Sequence, residues 1–181
     1  MCAPAFAYTL SRLFWHHVSQ PMPAITALLH ARNDAPRLGR ALETLLPCDE
    51  ILVIDHASQD ATRRIAREYG ARVLATTGAP PPGEWLQHAS HEWILCLEAR
   101  ESITEALAAS LFEWRADSRP QPGTTAFSFF LREETADGWL EHPTPQTRLV
   151  PRSWSQWHGL LPASDPSAIT LDGALLRFFL P

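Results

Sequence analysis

Glu50-Ile51-Leu52-Val53-Ile54-Asp55-His56-Ala57-Ser58-Gln59-Asp60-Ala61-Thr62 is the stretch whose reading decides the fold. Ile51 to Ile54 is a continuous apolar run rich in β-branched residues, the composition of a parallel strand buried on both faces. It ends on Asp55 and passes through a polar turn into a helical pattern. Ile65 and Tyr69 fall on one side of that helix, and Arg63, Arg64 and Arg67 on the other. Ser58 and Asp60 are both candidates to cap its free amides. Asp55 therefore stands at the carboxyl end of a buried strand, the edge where open α/β sheets bind ligands.

The same alternation extends outward. On the amino-terminal side, Ala24 to His30 reads as a first strand, followed by the polar turn Ala31-Arg32-Asn33-Asp34. Pro36 suits the first turn of a helix, where its missing N–H costs nothing, and Leu38, Ala41, Leu42 and Leu45 give that helix an apolar stripe before Pro47 stops it. On the carboxyl side, Gly70 suits a helix end and Arg72 to Ala75 is a short third strand. Strand, helix, strand, helix, strand is the pattern of a parallel sheet. After a loop containing Pro80-Pro81-Pro82, a short helix is expected within Glu84 to Glu92, then a fourth buried strand, Trp93 to Leu97, ending at Glu98-Ala99-Arg100-Glu101. Ser102 with Glu105 has capping-box spacing and opens a helix over 103–115 that buries Leu107, Leu111 and Trp114. Pro120, Pro122 and Gly123 break the chain. A strand over 124–133, a return arm at Trp139-Leu140, a strand at Arg148 to Val150 and an apolar segment from Leu175 to Phe179 follow. The expected fold is α/β: a mostly parallel sheet flanked by helices on both faces, with a small antiparallel addition. Residues 1–23 read as an N-terminal extension and 24–181 as one domain.

Composition narrows the function. The 181 residues are 45% hydrophobic, an ordinary globular balance, and the net charge of -5 argues against a general nucleic-acid binder. Every basic residue other than His is Arg, so Schiff-base and P-loop lysines are excluded. Cys2, Cys48 and Cys96 include no CxxC pair, and Cys96 reads as a reduced core residue. No apolar run reaches the roughly 18 residues of a membrane span and no secretory leader pattern is present, so the cytoplasm is the expected location, contact with the inner face of the membrane being left open. His88 and His91 have i, i+3 spacing but no third ligand, and Trp139, Trp154 and Trp157 suit either core packing or sugar stacking.

The acidic strand ends Asp55 and Glu98 to Glu101, with Asn33-Asp34, are expected to converge on one sheet edge, where carboxylates can accept from a ribose or hold a hard cation. At this point the chain resembles the family 2 glycosyltransferases, most of all the lipopolysaccharide core glucosyltransferase branch. The stretches that carry the resemblance are Leu28 to Asp34, Asp49 to Thr62, Glu92 to Glu101, and Gln146 to Val150 with Trp157. The resemblance implies the GT-A fold and an inverting transfer of a sugar from a nucleotide-diphosphate donor to a carbohydrate or lipid-linked acceptor hydroxyl in cell-envelope synthesis. It places Asp34 and Asp55 by the nucleoside and Glu98 at the first acidic position of a metal motif for Mn or Mg. Glu101 or His158 would be the base.

Departures from the family pattern are as informative. Arg100 stands where the second metal-binding Asp is expected, and Arg, always protonated, cannot ligate a cation. It can contact a diphosphate directly. No Glu follows His158. The alternative is a degenerate, non-catalytic relative that acts as a binding or partner protein.

Overall fold

The computed structural model describes residues 22–78, 83–117 and 126–179. Nearly all of the N-terminal extension, the Pro80 to Pro82 segment and the Pro120 to Gly123 break lie outside the described residues. Strands β1 (Ile25–Ala31), β2 (Glu50–Asp55), β3 (Arg72–Ala75) and β4 (Trp93–Glu98) run parallel in the spatial order β3-β2-β1-β4. The sheet continues through β5 (Glu101–Ile103), β6 (Phe127–Thr135), β7 (Gly138–Glu141) and β8 (Gln146–Pro151), while β9 (Trp157–His158) and β10 (Leu161–Pro162) form a separate hairpin. With β11 (Ile169–Arg177), the order is β3-β2-β1-β4-β8-β6-β11-β5, with β7 on β6. The architecture is α/β, with an antiparallel part larger than the sequence suggests: β8 pairs antiparallel with both β4 and β6, and β11 with β5.

Alternation along the strands sorts two cores. Ile25, Ala27, Leu29, Val53, Leu95 and Leu97 point to one face, where α1 (Ala35–Glu43), α2 (Thr62–Glu68) and α3 (Glu105–Ala116) bury Leu38, Ala41, Leu42, Ala66, Leu107 and Leu111. Leu28, Leu52, Ile54, Ile94 and Cys96 point to the other. Helices were expected on both faces. Instead, all three α-helices contribute to the first core, and the second is closed by a 3₁₀ turn, Glu84–His88, that buries Trp85 and Leu86, together with Trp154, Trp157 and Leu161. The crossover from β3 to β4 contains three consecutive prolines, which have no N–H for helical bonds. Trp154 and Trp157 are therefore core-packing residues. Trp139 is half-exposed in β7, edge-on to Phe178.

α3 starts two residues later than the Ser102 cap implied. Ser102 belongs to β5, and Thr104 is the N-cap, its hydroxyl accepting from Leu107 N–H at 3.2 Å and from Ala174 N–H at 3.1 Å. The same crossing brings β11 so close that a Cβ on Gly173 (φ +97°) would lie 2.3 Å from the Leu107 nitrogen. At the opposite end of α3, Arg115 donates to Pro23 O, Pro47 O and Asp49 Oδ1 at 2.6–2.8 Å. These bonds tie the helix to the amino edge of the sheet. The Cys48 and Cys96 thiols are pushed up to about 12 by burial, which keeps both protonated and inert.

Candidate functional site

Parallel register aligns the strand ends. His30 lies beside Ile54 and Glu98, and Ala31 beside Asp55, so β1, β2 and β4 finish within a residue of one another. The strand order reverses between β1 and β4, the place where α/β sheets open a crevice. A cleft of ≈ 620 Å³ lies there, with Arg32, Asp34, Arg37, Glu98 and Arg100 on its walls.

The turns after β1 and β2 are laced together by side chains. Asn33 N–H donates to Ser58 Oγ (3.0 Å), Gln59 N–H to Asn33 Oδ1 (2.8 Å) and Asp34 N–H to Thr62 Oγ1 (2.9 Å). Asp60 accepts from the first amides of two helices, Ala35 N–H and Thr62 N–H. Asp60 thus serves the capping role, while Ser58 joins the turns. Asn33 (φ 56°) and Ala57 (φ 57°) both occupy the left-handed region, which such lacing must hold in place.

Asp55 is fully buried. Its carboxylate accepts Ser58 N–H at 3.3 Å and pairs with Arg63 at 3.6 Å. It therefore shapes the turn that presents Ala57 to the cleft and is not itself on the cleft wall. Asp34 is on that wall, with Oδ2 accepting Arg32 N–H at 2.7 Å.

Glu98 and Arg100 face the cleft as an ion pair, Arg100 Nε to Glu98 Oε2 at 2.9 Å, with Arg177 Nε 3.5 Å from the same oxygen. Glu101 is different. It is 0% exposed and its carboxylate is surrounded by donors. Arg148 binds both oxygens, at 3.1 and 3.0 Å, Arg177 adds bonds at 3.2 and 2.8 Å, and Glu98 N–H adds one at 2.9 Å. A general base must come within about 2.6–3.2 Å of the proton it takes. This buried, fully engaged carboxylate is placed as an anchor for two arginines, not as a base. His158 is exposed on β9, two residues from Leu160 of the cleft wall.

Three features of the cleft were not read from the sequence. Arg37, on the first turn of α1, donates from an NH2 group to Phe179 O at 2.9 Å, while its buried Nε has no hydrogen-bond partner among the described residues. The Phe179 ring lies under Arg100, 4.9 Å from its guanidinium carbon. On the floor, His30 Nδ1 and His56 Nε2 are 2.9 Å apart, with the rings stacked at 5.2 Å and Trp85 edge-on to both. Burial, then the neighbouring His56, lowers His30 to about 4, against the opposing pull of Glu98. Burial also lowers His56. The pair is neutral at pH 7 and shares one N–H. Its only sequence signal was that both histidines sit at strand ends destined for parallel register.

Hard divalent cations need several oxygen ligands. Here Glu98 is held by two guanidinium groups, Glu101 is enclosed and Arg100 occupies the second acidic position. Among the described residues no three His, Cys, Asp or Glu side chains gather at metal-binding distance. The donor set does not fit a divalent cation.

No protein-family model matches the chain. A TPR repeat-containing protein of Synechococcus elongatus is 34% identical over 126 residues, 67% of this chain and 30% of that protein. An uncharacterized glycosyltransferase of Rickettsia felis is 31% identical over 90 residues, 48% of this chain and 32% of its own. The chain spans about a third of the length of these curated relatives. Among solved structures, a mannosyltransferase of Pyrobaculum calidifontis in complex with GDP-Man and Mn2+ matches with a TM-score of 0.47 at 23% identity, over 59% of this chain and 35% of that one. Over roughly half its length, then, the chain is similar to proteins named as glycosyltransferases.

Proposed function

We propose that this chain carries the donor site of a family 2 type glycosyltransferase, which moves a sugar from a nucleotide-diphosphate to an acceptor hydroxyl with inversion. The observation that supports it most directly is the cleft at the carboxyl ends of the parallel strands, where guanidinium groups and carboxylates face each other. A nucleotide-sugar has the complementary chemistry: a diphosphate for the arginines, and ribose and sugar hydroxyls for the acids. The sequence relatives named as glycosyltransferases support the same class.

In this reading Asp34 meets the nucleoside, and Asp55 acts at one remove by holding the adjoining turn. Glu98 fixes Arg100 at the diphosphate. His158 takes the acceptor proton as the acceptor oxygen bonds to the anomeric carbon and the nucleotide diphosphate leaves with the bonding pair. Glu101 is a positioning residue. The acceptor is a carbohydrate or lipid-linked hydroxyl of the cell envelope, met at the inner face of the membrane. Among the described residues no helix is long and apolar enough to cross that membrane.

The enclosed Glu101 and the Arg100 substitution favour a second reading, a relative that binds nucleotide-sugar or a protein partner without transfer. Incubation with UDP-glucose, UDP-N-acetylglucosamine and GDP-mannose, with a glycolipid extract as acceptor and nucleotide release as the readout, separates the two. Release that depends on the extract and falls at least tenfold in His158→Ala supports transfer. Donor binding without release supports the second reading in its nucleotide-sugar form, and absence of donor binding refutes transfer and leaves only the protein-partner form.

A further inference from the structure

We propose that the cleft holds the donor's diphosphate through Arg32, Arg37 and Arg100, with no divalent cation. The inference rests on the nucleotide-sugar reading and adds how the anion is held. Of the two carboxylates on the wall, Glu98 is taken up by guanidinium groups, and Asp34 alone offers too few oxygens for a hard divalent cation. Glu98 accepts from Arg100 at 2.9 Å and has Arg177 at 3.5 Å, and Asp34 accepts Arg32 N–H. A cation beside Glu98 would have to displace two guanidinium groups or sit against their positive charge.

The arginines, by contrast, have donors to spare. Among the described residues the buried Nε of Arg37 lacks a hydrogen-bond partner, and a buried unpaired donor is costly unless a ligand satisfies it. Arg32 is exposed and forms no ion pair among the described residues. Arg100 gives Nε to Glu98 and its flat face to Phe179, and among the described residues its terminal NH2 groups carry no other bond. Three guanidinium groups on the wall against the carboxylates of Asp34 and Glu98 leave a net positive cleft. The neutral His30–His56 floor adds no charge to that balance. Guanidinium forks match phosphate oxygens in pairs and need no metal to bridge them.

The test is calorimetric titration of the whole protein with UDP, GDP and CDP, once in EDTA and once in Mn2+, with inorganic pyrophosphate as competitor. The expected result is binding of at least one nucleotide with affinities within about twofold in the two buffers. Pyrophosphate should compete, and Arg37→Gln and Arg100→Gln should each weaken binding at least tenfold. Arg64→Gln, on an exposed helix pair with Glu68, is the control expected to change nothing. If Arg37→Gln melts early, Arg32→Gln takes its place, since that side chain has no structural bond to lose among the described residues. Binding that requires Mn2+ overturns the arginine clamp and keeps the nucleotide reading. Binding in EDTA that is indifferent to these substitutions also overturns the clamp. No binding in either buffer overturns the nucleotide reading itself.

Discussion

Replacing Glu101 by Gln keeps the shape of the side chain and removes the one charge that two arginines share. Arg148 is 1% exposed and donates through both terminal nitrogens, and Arg177 adds two more bonds. Gln offers a single acceptor oxygen and turns an NH2 group toward donors. Breaking a buried pair by removing one partner costs about 3–5 kcal/mol, because the other charge stays buried. Total stability for a domain is about 5–15 kcal/mol, so the loss is a large share. With a slope of about 2 kcal/mol per molar urea, the midpoint should fall by roughly 2 M. Melting should come about 10–15 °C earlier. Urea titration followed by both circular dichroism and Trp fluorescence reads the effect. The double variant Glu101→Leu/Arg148→Met removes both charges and should recover more than half of the loss. A loss below about 1 kcal/mol for Glu101→Gln would refute the reasoning, since Arg148 would then have to be hydrated or otherwise paired.

Gly173→Ala adds a Cβ 2.3 Å from the Leu107 nitrogen at φ +97° and should cost about 2–5 kcal/mol from overpacking and strain together. Gly138→Ala (φ +124°, no atom within 4 Å) should cost only the backbone part, about 1 kcal/mol, so equal losses in paired urea titrations would count against the close-approach argument. Thr104→Ala removes the α3 cap and should cost about 1 kcal/mol by the same assay, while Ser102→Ala, whose hydroxyl caps no amide of α3 and loses only a 3.3 Å bond to Arg40 O, should cost less. His30 is lowered from 6.5 to about 4, so the unfolded chain takes up its proton first as pH falls. That stability is present above pH 6.5 and lost progressively toward pH 4, up to about 3 kcal/mol. His30→Gln should flatten stability against pH between 4.5 and 6.5, above the range where Glu50, lowered to about 2, begins to contribute.

The parallel half was legible because its strands are buried on both faces and therefore read as unbroken apolar runs. Arg72 to Ala75 was placed to the residue, and Leu38, Ala41, Leu42, Leu107 and Leu111 are buried as their spacing predicted. What escaped depends on long-range pairing. β5 is three residues long and becomes a strand only by meeting β11, so Ser102 looked like a helix cap. The hydroxyls of Ser102 and Thr104 are both suitable caps, and the backbone alone decided between them. Glu101 looked like a free acid because its partner Arg148 is 47 residues away, a distance over which local pattern carries no information. His30 and His56 meet only through strand register. The cleft wall was partly foreseen through Asp34, Glu98 and Arg100, whereas Arg32 and Arg37 look like ordinary turn and helix-surface residues until β1 and α1 are placed together.

The place of β11 between β6 and β5 bears on how the protein is made. Translation delivers Glu101 first, Arg148 47 residues later and Arg177 76 residues after Glu101. At about 5–20 residues per second, the ribosome leaves that carboxylate without its second arginine for roughly 4–15 s. Over that interval β1 to β4 can pair as they emerge, while β5 has no neighbouring strand and the loosely assembled antiparallel half exposes apolar surface to chaperones and proteases. The final charge layout of the cleft, in which Arg177 steadies Glu98, therefore cannot exist on a nascent chain that stops short of residue 177.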